Sequence, residues 1–127
     1  MRNKKIIYIA GPITGVPKYW EAFEKMEDDL TALGFTVLTP SRLPADLPNE
    51  RALPICMGMV QAADAVVMLP GAQDSRGAVI EGSFAGYLGK PVVPVRVGNI
   101  VERFPRDVQF AYLRHDLREA LGEEVTP

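Results

Sequence analysis

Cysteine and histidine are almost absent from this sequence. The 127 residues contain one cysteine, Cys56, and one histidine, His115. A single cysteine cannot form a disulfide within the chain, and the two residues together leave too few ligands for a Cys/His zinc site. We therefore expect no internal disulfide, no metal site and no cofactor.

The sequence also lacks an excess of charge of either sign. Fourteen Lys and Arg residues against sixteen Asp and Glu residues give a formal net charge of −2. The electrostatic footprint of a nucleic-acid-binding or membrane-surface protein is therefore missing. We expect a small-molecule ligand, with no nucleic acid and no membrane as partner.

Long apolar runs are missing as well. No segment approaches the ~18 consecutive apolar residues of a membrane span. The apolar stretch Ile6–Ala10 follows basic residues, as the core of a signal peptide does, but it is too short and runs into Gly11 and Pro12. A buried first strand is the better interpretation, and we expect a cytoplasmic protein.

What the sequence does contain is the composition of an ordinary globular domain. Hydrophobic residues make up 47% of the chain and charged residues 24%, which excludes general disorder. Two domains in this length would each be too small for a sizeable core. We expect one domain over residues 1–122 and a short tail over residues 123–127.

Strand-like and helix-like segments alternate along the chain. Short apolar runs are typical of buried strands, and apolar residues at three- and four-residue spacing are typical of helices. The predicted strands are residues 6–10, 35–39, 65–69 and 92–97, and the predicted helices are residues 18–34, 55–63, 77–88 and 107–121. Residues 40–54 contain four prolines and are predicted to be a loop.

This alternation predicts an α/β fold of three layers, in which a parallel sheet is covered by helices on both faces. Right-handed crossovers favour the flavodoxin-like (Rossmann-like) strand order 2-1-3-4, with a short fifth strand as an option. Strands 1 and 3 are then neighbours whose connections leave toward opposite faces of the sheet. A ligand crevice is expected at their carboxyl ends.

Two glycine-containing loops follow these two strands and are predicted to line that crevice. Their glycines can bring backbone N–H groups close to a ligand. Ser75 and Gly77 also begin a helix, where a hydroxyl, free N–H groups and the helix dipole suit an anion such as phosphate. The alternative for Ser75 is a plain N-cap. The other candidates in these loops are Gly11, Pro12, Thr14, Gly15, Asp74 and Arg76.

Glu81 is the only charged residue of the helix predicted over residues 77–88. It shares a helix face with the apolar residues Ala78 and Ala85, close to the crevice. A carboxylate in such a place is paired, hydrogen-bonded or protonated. We favour a functional carboxylate with a shifted pKa, acting as nucleophile, general base or hydroxyl binder, over an exposed glutamate at the rim.

Other polar residues receive structural interpretations. Asp64 precedes strand 3, at the wrong end of the sheet for catalysis, and is predicted to cap a turn. His115 is expected on the surface of the last helix, and Cys56 is expected to be a small buried residue without a histidine to activate it. Tyr8 is either core or a wall against a base or sugar.

Four ordered motifs carry a family resemblance. The chain resembles the nucleoside 2-deoxyribosyltransferase superfamily over about residues 5–96, and it is most similar to the small DUF4406 branch of bacteria and phages. The motifs are Tyr8-Ile-Ala-Gly-Pro-Ile-Thr-Gly15, Gly34-Phe-Thr-Val-Leu-Thr-Pro40, Ala63-Asp-Ala-Val-Val-Met-Leu-Pro-Gly71 and Ser75-Arg-Gly-Ala-Val-Ile-Glu81.

The resemblance implies a flavodoxin-like fold and cleavage of an N-glycosidic bond. It implies that Glu81 attacks the anomeric carbon as the base departs, after which water or a second base takes the sugar. It also implies that Ser75 and Gly77 hold a 5′-phosphate and that Tyr8 lies beside the sugar or base. True transferases carry aspartate at the position of Ser75, so the serine favours a nucleotide. The alternative is a nucleotide-binding module without catalysis.

The sequence departs from the family pattern at three positions. Active members carry an aspartate at the position of Cys56, and nucleotide hydrolases carry serine and arginine in the first loop, where this chain has Pro12 and Thr14. Relatives commonly complete the site with residues of a neighbouring subunit. A homo-oligomer is therefore expected here too, packed through the small residues of one helix, Gly82, Gly86 and Gly89.

Overall fold

Four parallel strands form one sheet in the computed structural model, which describes residues 4–95 and 106–123. The sheet order is β2-β1-β3-β4, which confirms the predicted topology. No fifth strand occurs among the described residues, and the predicted end of the fourth strand at Val97 lies outside them. The strands are β1 (Ile6–Ala10), β2 (Thr36–Leu38), β3 (Ala65–Met68) and β4 (Val92–Pro94).

Helices connect the strands and close the described part of the chain. Three of them begin and end within two residues of their predicted bounds, and α2 begins six residues earlier than predicted. Short 3₁₀ turns occupy Pro40–Arg42 and Ala72–Asp74. The helices are α1 (Tyr19–Ala32), α2 (Asn49–Ala62), α3 (Arg76–Tyr87) and α4 (Arg106–Ala120).

The sheet separates two apolar cores, as expected for three layers. Successive side chains of a strand point to opposite faces. Ile7 and Ile9 of β1 therefore pack with α1 and α4, in a cluster that includes Phe23 and Leu117. Tyr8 and Ala10 point to the other face and pack with α2 and α3. The candidate site belongs to this second face.

The prediction that residues 40–54 form a loop is wrong over residues 49–54. Helix α2 begins at Asn49 and carries Pro54 in its second turn. Pro54 has no N–H to donate to the carbonyl of Glu50, so the helix loses one backbone hydrogen bond. Burial of Cys56 and Val60 in the second core outweighs that loss, a tertiary effect that proline content cannot report.

In the described segments 4–95 and 106–123, the structure has no helix that is both long enough and apolar enough to span a lipid bilayer.

Candidate functional site

A cavity of about 770 Å³ opens at the carboxyl ends of β1 and β3, where the strand order predicts a ligand crevice. Both predicted loops line it, so the sequence-based placement of this cavity is correct. Of the predicted site residues, those that line the cavity are Gly11, Pro12, Thr14, Asp74, Ser75, Arg76, Gly77 and Glu81.

The two loops begin close together, because the chain leaves β1 and β3 side by side. The backbone N–H of Leu69 donates to the carbonyl of Ala10 at 2.8 Å. A Cβ atom on Gly11 would lie 2.8 Å from Cδ1 and 3.0 Å from Cβ of Leu69. The close approach of the loops therefore requires glycine at position 11.

Glu81 lies on the inward face of α3 and is only 5% exposed. Its carboxylate borders the cavity and accepts a hydrogen bond from the hydroxyl of Tyr8. Burial raises the pKa of Glu81 to about 7, although the hydrogen bonds from Tyr8 and Cys56 act in the opposite direction. The prediction of a buried carboxylate is confirmed, and the alternative of an exposed glutamate at the rim is wrong.

Tyr8 lies behind Glu81 and is fully buried. Burial, followed by the negative charge of Glu81, raises the pKa of its hydroxyl far above the usual range. Tyr8 is therefore a permanent donor to Glu81 in this structure. It is not among the residues that line the cavity, and a contact between Tyr8 and a sugar or base stays a prediction.

Cys56 completes this group from α2. Its side chain is buried, as predicted, and it also borders the cavity. Burial, more than the nearby Glu81, raises the pKa of the thiol, while a hydrogen bond with Tyr8 lowers it. The thiol thus stays protonated beside the carboxylate of Glu81.

Ser75 caps helix α3. Its Oγ accepts a hydrogen bond from the N–H of Ala78 at 3.4 Å, so the N-cap interpretation holds. Ser75 and Gly77 also line the cavity, next to the free N–H groups of the first helical turn. A role for them in holding phosphate stays a prediction, and so does a ligand contact by Asp74 or Arg76.

A third wall of the cavity escaped the sequence-based reasoning. It consists of the segment before α2 and the N-terminal half of α2 itself. The residues of this wall are Pro40, Leu43, Pro44, Ala45, Leu47, Asn49, Glu50, Ala52, Leu53 and Cys56.

The model of one protein family covers most of this chain. Residues 5–94 match the domain of unknown function DUF4406. The chain belongs to the DUF4406 family.

Solved structures show that this DUF4406 protein shares the fold of 2-deoxyribosyltransferases. A 2-desoxiribosyltransferase from Leishmania mexicana superposes with a TM-score of 0.62 at 18% identity, over 87% of this chain and 97% of that one. A 2-deoxyribosyltransferase from Bacillus psychrosaccharolyticus gives a TM-score of 0.58 at 22% identity, over 82% and 95%. The predicted fold is therefore confirmed, and the family match confirms the predicted DUF4406 branch.

A CMP N-glycosidase from Clostridium botulinum, BcmB, has the same fold. It superposes with a TM-score of 0.54 at 15% identity, over 93% of this chain and 98% of the other. Identities this low establish a common fold and leave substrate and activity to be argued from the site. Among curated protein sequences, none matches this chain.

Besides Tyr8, one predicted site residue of this DUF4406 protein lies away from the cavity wall, and so do the two residues that were given structural interpretations. Gly15 turns the loop after β1 with a φ of +77° and does not line the cavity. Asp64 accepts a hydrogen bond from the N–H of Ile6 at 2.7 Å, which confirms its structural role at the amino ends of the strands. His115 is exposed on α4, 3.4 Å from Asp116, as predicted for a surface residue.

The signal for the missed wall is weak but present in the sequence. Read as a helix, residues 49–62 place Asn49, Leu53, Cys56 and Val60 along one face. The prolines at positions 48 and 54 hid this period because proline usually marks a loop. The helical spacing of these residues, which continues through Pro54, is the sequence feature that indicates a helix here.

Proposed function

We propose that this protein cleaves the N-glycosidic bond of a nucleoside or nucleotide, as a glycosidase or a deoxyribosyltransferase, with Glu81 as the nucleophile. The observation that carries the proposal is the position of Glu81, a buried carboxylate that faces a cavity at the topological switch point. Such sites are where open α/β sheets bind ligands. The shared fold with 2-deoxyribosyltransferases and a CMP N-glycosidase supports the same chemistry.

In the proposed reaction, one oxygen of Glu81 attacks the anomeric carbon while the bond between carbon and base breaks. The electron pair of that bond leaves with the base, which takes up a proton from solvent. A covalent ester between Glu81 and the sugar remains. Water or a second base then attacks the anomeric carbon, releases a proton to solvent and frees the carboxylate.

Tyr8 supports this chemistry by orientation. Its hydroxyl donates to Oε2 of Glu81, which leaves Oε1 as the oxygen available to the substrate. Because burial raises the pKa of the Tyr8 hydroxyl, the hydroxyl keeps its proton and donates through the neutral and mildly alkaline range. A fixed donor keeps the nucleophile in one rotamer.

Ionised Glu81 is the reactive form in this proposal. Since burial raises its pKa to about 7, we expect kcat/KM to increase as the pH rises from 5 and to level off above about 7. A nucleophile with an ordinary glutamate pKa would show no such increase in this range.

The experiment is to incubate the protein with each ribo- and deoxyribonucleoside and its 5′-monophosphate and to follow the free base by chromatography. We expect release from at least one of them and a loss of at least about 10³-fold in Glu81→Gln. Acid quenching and mass spectrometry should detect the sugar attached to Glu81. Base release that survives unchanged in Glu81→Gln contradicts the proposal.

A binding module without catalysis is the second candidate, and Cys56 is the observation in its favour. Its buried, protonated thiol stands where active relatives carry an aspartate that assists the leaving base. Calorimetry distinguishes the two candidates. Tight binding of a nucleotide that is recovered intact favours the binding module, and the absence of any binding excludes both.

The base-release assay also tests the proposed phosphate site. Ser75 and Gly77 favour a monophosphate. Among the residues that the structure describes, however, the charged ones that line the cavity are three carboxylates and one arginine, Glu50, Asp74, Glu81 and Arg76. If the phosphate is held at the start of α3, monophosphates should react with a lower KM than nucleosides. A lower KM for nucleosides than for monophosphates would instead indicate that the cavity binds a neutral nucleoside.

A further inference from the structure

The residues of helix α2 that line the cavity become more buried from the start of the helix to Cys56. Its first residues, Asn49 and Glu50, are exposed, Ala52 and Leu53 are half-buried, and Cys56 is buried. All five line the cavity. The helix therefore runs from the solvent-exposed mouth to the floor, where Cys56 lies beside Glu81.

The length of this wall matches a base attached to a reacting sugar. At the helical rise per residue, Asn49 and Cys56 are separated by ~10 Å along the helix axis. The outer edge of a purine lies closer than this to the attacked anomeric carbon, and a hydrogen bond of about 2.9 Å spans most of the remainder. A base that extends along α2 from a sugar on Glu81 would thus bring its outer edge within hydrogen-bond reach of Asn49 and Glu50.

The middle of the wall is apolar on both sides. Ala52 and Leu53 of α2 and Leu43, Pro44 and Leu47 of the preceding segment all border the cavity. Apolar walls with a few polar groups at the end are typical of sites for flat heteroaromatic ligands.

The polar groups at the mouth differ in what they can bind. The amide of Asn49 can donate and accept, whereas the carboxylate of Glu50 can only accept. A ligand edge that meets Glu50 must therefore offer a hydrogen. An exocyclic amino group supplies one, and an oxo group in the same position would repel the carboxylate.

We propose that the N-terminal half of α2 recognises the base and that Glu50 selects bases whose outer edge carries an amino group. This inference rests on the proposed function, because it assumes that the sugar lies at Glu81. It adds the substrate class, which the position of Glu81 does not determine.

Adenine and hypoxanthine are the matched probes, because they have nearly the same shape and carry an amino or an oxo group at the same position. They differ otherwise only in the hydrogen on the adjacent ring nitrogen, which hypoxanthine has and adenine lacks. We expect adenine to bind about tenfold more tightly in calorimetry, the ratio that one hydrogen bond to a charged acceptor supplies. Glu50→Lys, which replaces the acceptor by a donor, should reverse the preference, and Glu50→Gln should nearly abolish it.

The control is Glu24→Lys, which makes the same charge change on the exposed face of α1, away from the cavity. It should leave the ratio of the two affinities unchanged. Equal affinities in the wild type, no binding of either base at millimolar concentration, or a ratio that Glu50→Lys does not alter would each overturn the inference.

Binding of free bases needs no turnover, so this test separates the two proposals. Selective binding of adenine without cleavage of any nucleoside refutes the glycosidase and leaves the base site standing. Cleavage with equal rates for amino and oxo bases refutes the selectivity and leaves the glycosidase standing.

Discussion

Glu81 places a carboxyl group where little water reaches it. Its pKa of about 7 compares with an ordinary value of 4.5, so the folded protein holds this proton more tightly than the unfolded chain does. The resulting stabilisation is fully present below pH 4.5 and is lost as the pH rises through about 7. Ionised Glu81 thus destabilises the native state at the pH where it would react, because its buried charge is poorly solvated.

Glu81→Gln should therefore stabilise the protein at alkaline pH. The amide keeps an acceptor for Tyr8 and cannot ionise, so the variant should gain up to about 3 kcal/mol in the free energy of unfolding at pH 8, relative to wild type. The gain should disappear at pH 4.5. Urea denaturation at pH 4.5, 6 and 8 measures it.

Glu24→Gln is the control for this stability prediction, because Glu24 is exposed on α1. It should not reproduce the gain that Glu81→Gln shows at pH 8. Parallel stability curves for wild type and Glu81→Gln across this pH range would contradict the assigned cause, and would also weaken the link between activity and Glu81 ionisation.

At the scale of single residues, the sequence indicates that Glu81 is a buried carboxylate, and it does not indicate which residues Glu81 contacts. An isolated charge on an apolar helix face points to a buried carboxylate. Its hydrogen bond to Tyr8, however, joins residues separated by 73 positions, and no local pattern encodes such a pair. The same holds for Cys56, whose burial is predictable and whose contact with Glu81 is not.

At the scale of secondary-structure elements, the close approach of the chain after β1 to the end of β3 requires a glycine, which has no Cβ, at position 11. Gly11 of the loop after β1 packs against Leu69, where β3 ends. Leu69 is itself buried, so it has little room to move away from an added methyl group. The position of the loop after β1, and with it one wall of the cavity, follows from this contact.

Gly11→Ala should destabilise the protein by about 1–3 kcal/mol, the usual range for overpacking a core. Gly58→Ala is the matched control, because a Cβ at position 58 would meet nothing within 4 Å and the residue lies inside α2. That variant should gain about 0.5–1 kcal/mol from helix propensity. Urea denaturation measures the free energy of unfolding of both variants. Changes of the same sign and size in the two variants would contradict the role assigned to Gly11.

Helix α2 shows where element-level prediction fails. The strands and the other three helices follow from apolar period and from glycine and proline at their ends. In α2 proline lies inside the helix, so the local rule and the tertiary packing disagree, and packing determines the outcome. The error also concealed the cavity wall, because the residues concerned were assigned to a loop.

At the scale of the whole molecule, the expected homo-oligomer stays a prediction, and the outer face of α3 is where it can be tested. Tyr87 is 86% exposed and Val79 is 44% exposed, so apolar side chains are available for a contact on this face. The predicted glycine stripe is only partly available, because Gly82 faces Met68 of β3 while a Cβ on Gly86 or Gly89 would meet nothing within 4 Å.

Tyr87→Glu should lower the molar mass measured by light scattering after size-exclusion chromatography. A charge in the middle of an apolar contact carries a desolvation cost that a rim charge does not. Glu24→Lys should leave the mass unchanged. A wild-type protein that is monomeric at tens of micromolar would refute the oligomer directly.

The sequence by itself determined the sheet order, the position of the crevice and the burial of Glu81. Each follows from short-range apolar periodicity combined with the chirality of crossover connections, which acts on any chain with this pattern. Only the tertiary structure decided that Tyr8 and Cys56 meet Glu81 and that α2 forms a wall of the cavity. These features depend on contacts between residues far apart in sequence, where packing energy overrides local propensity.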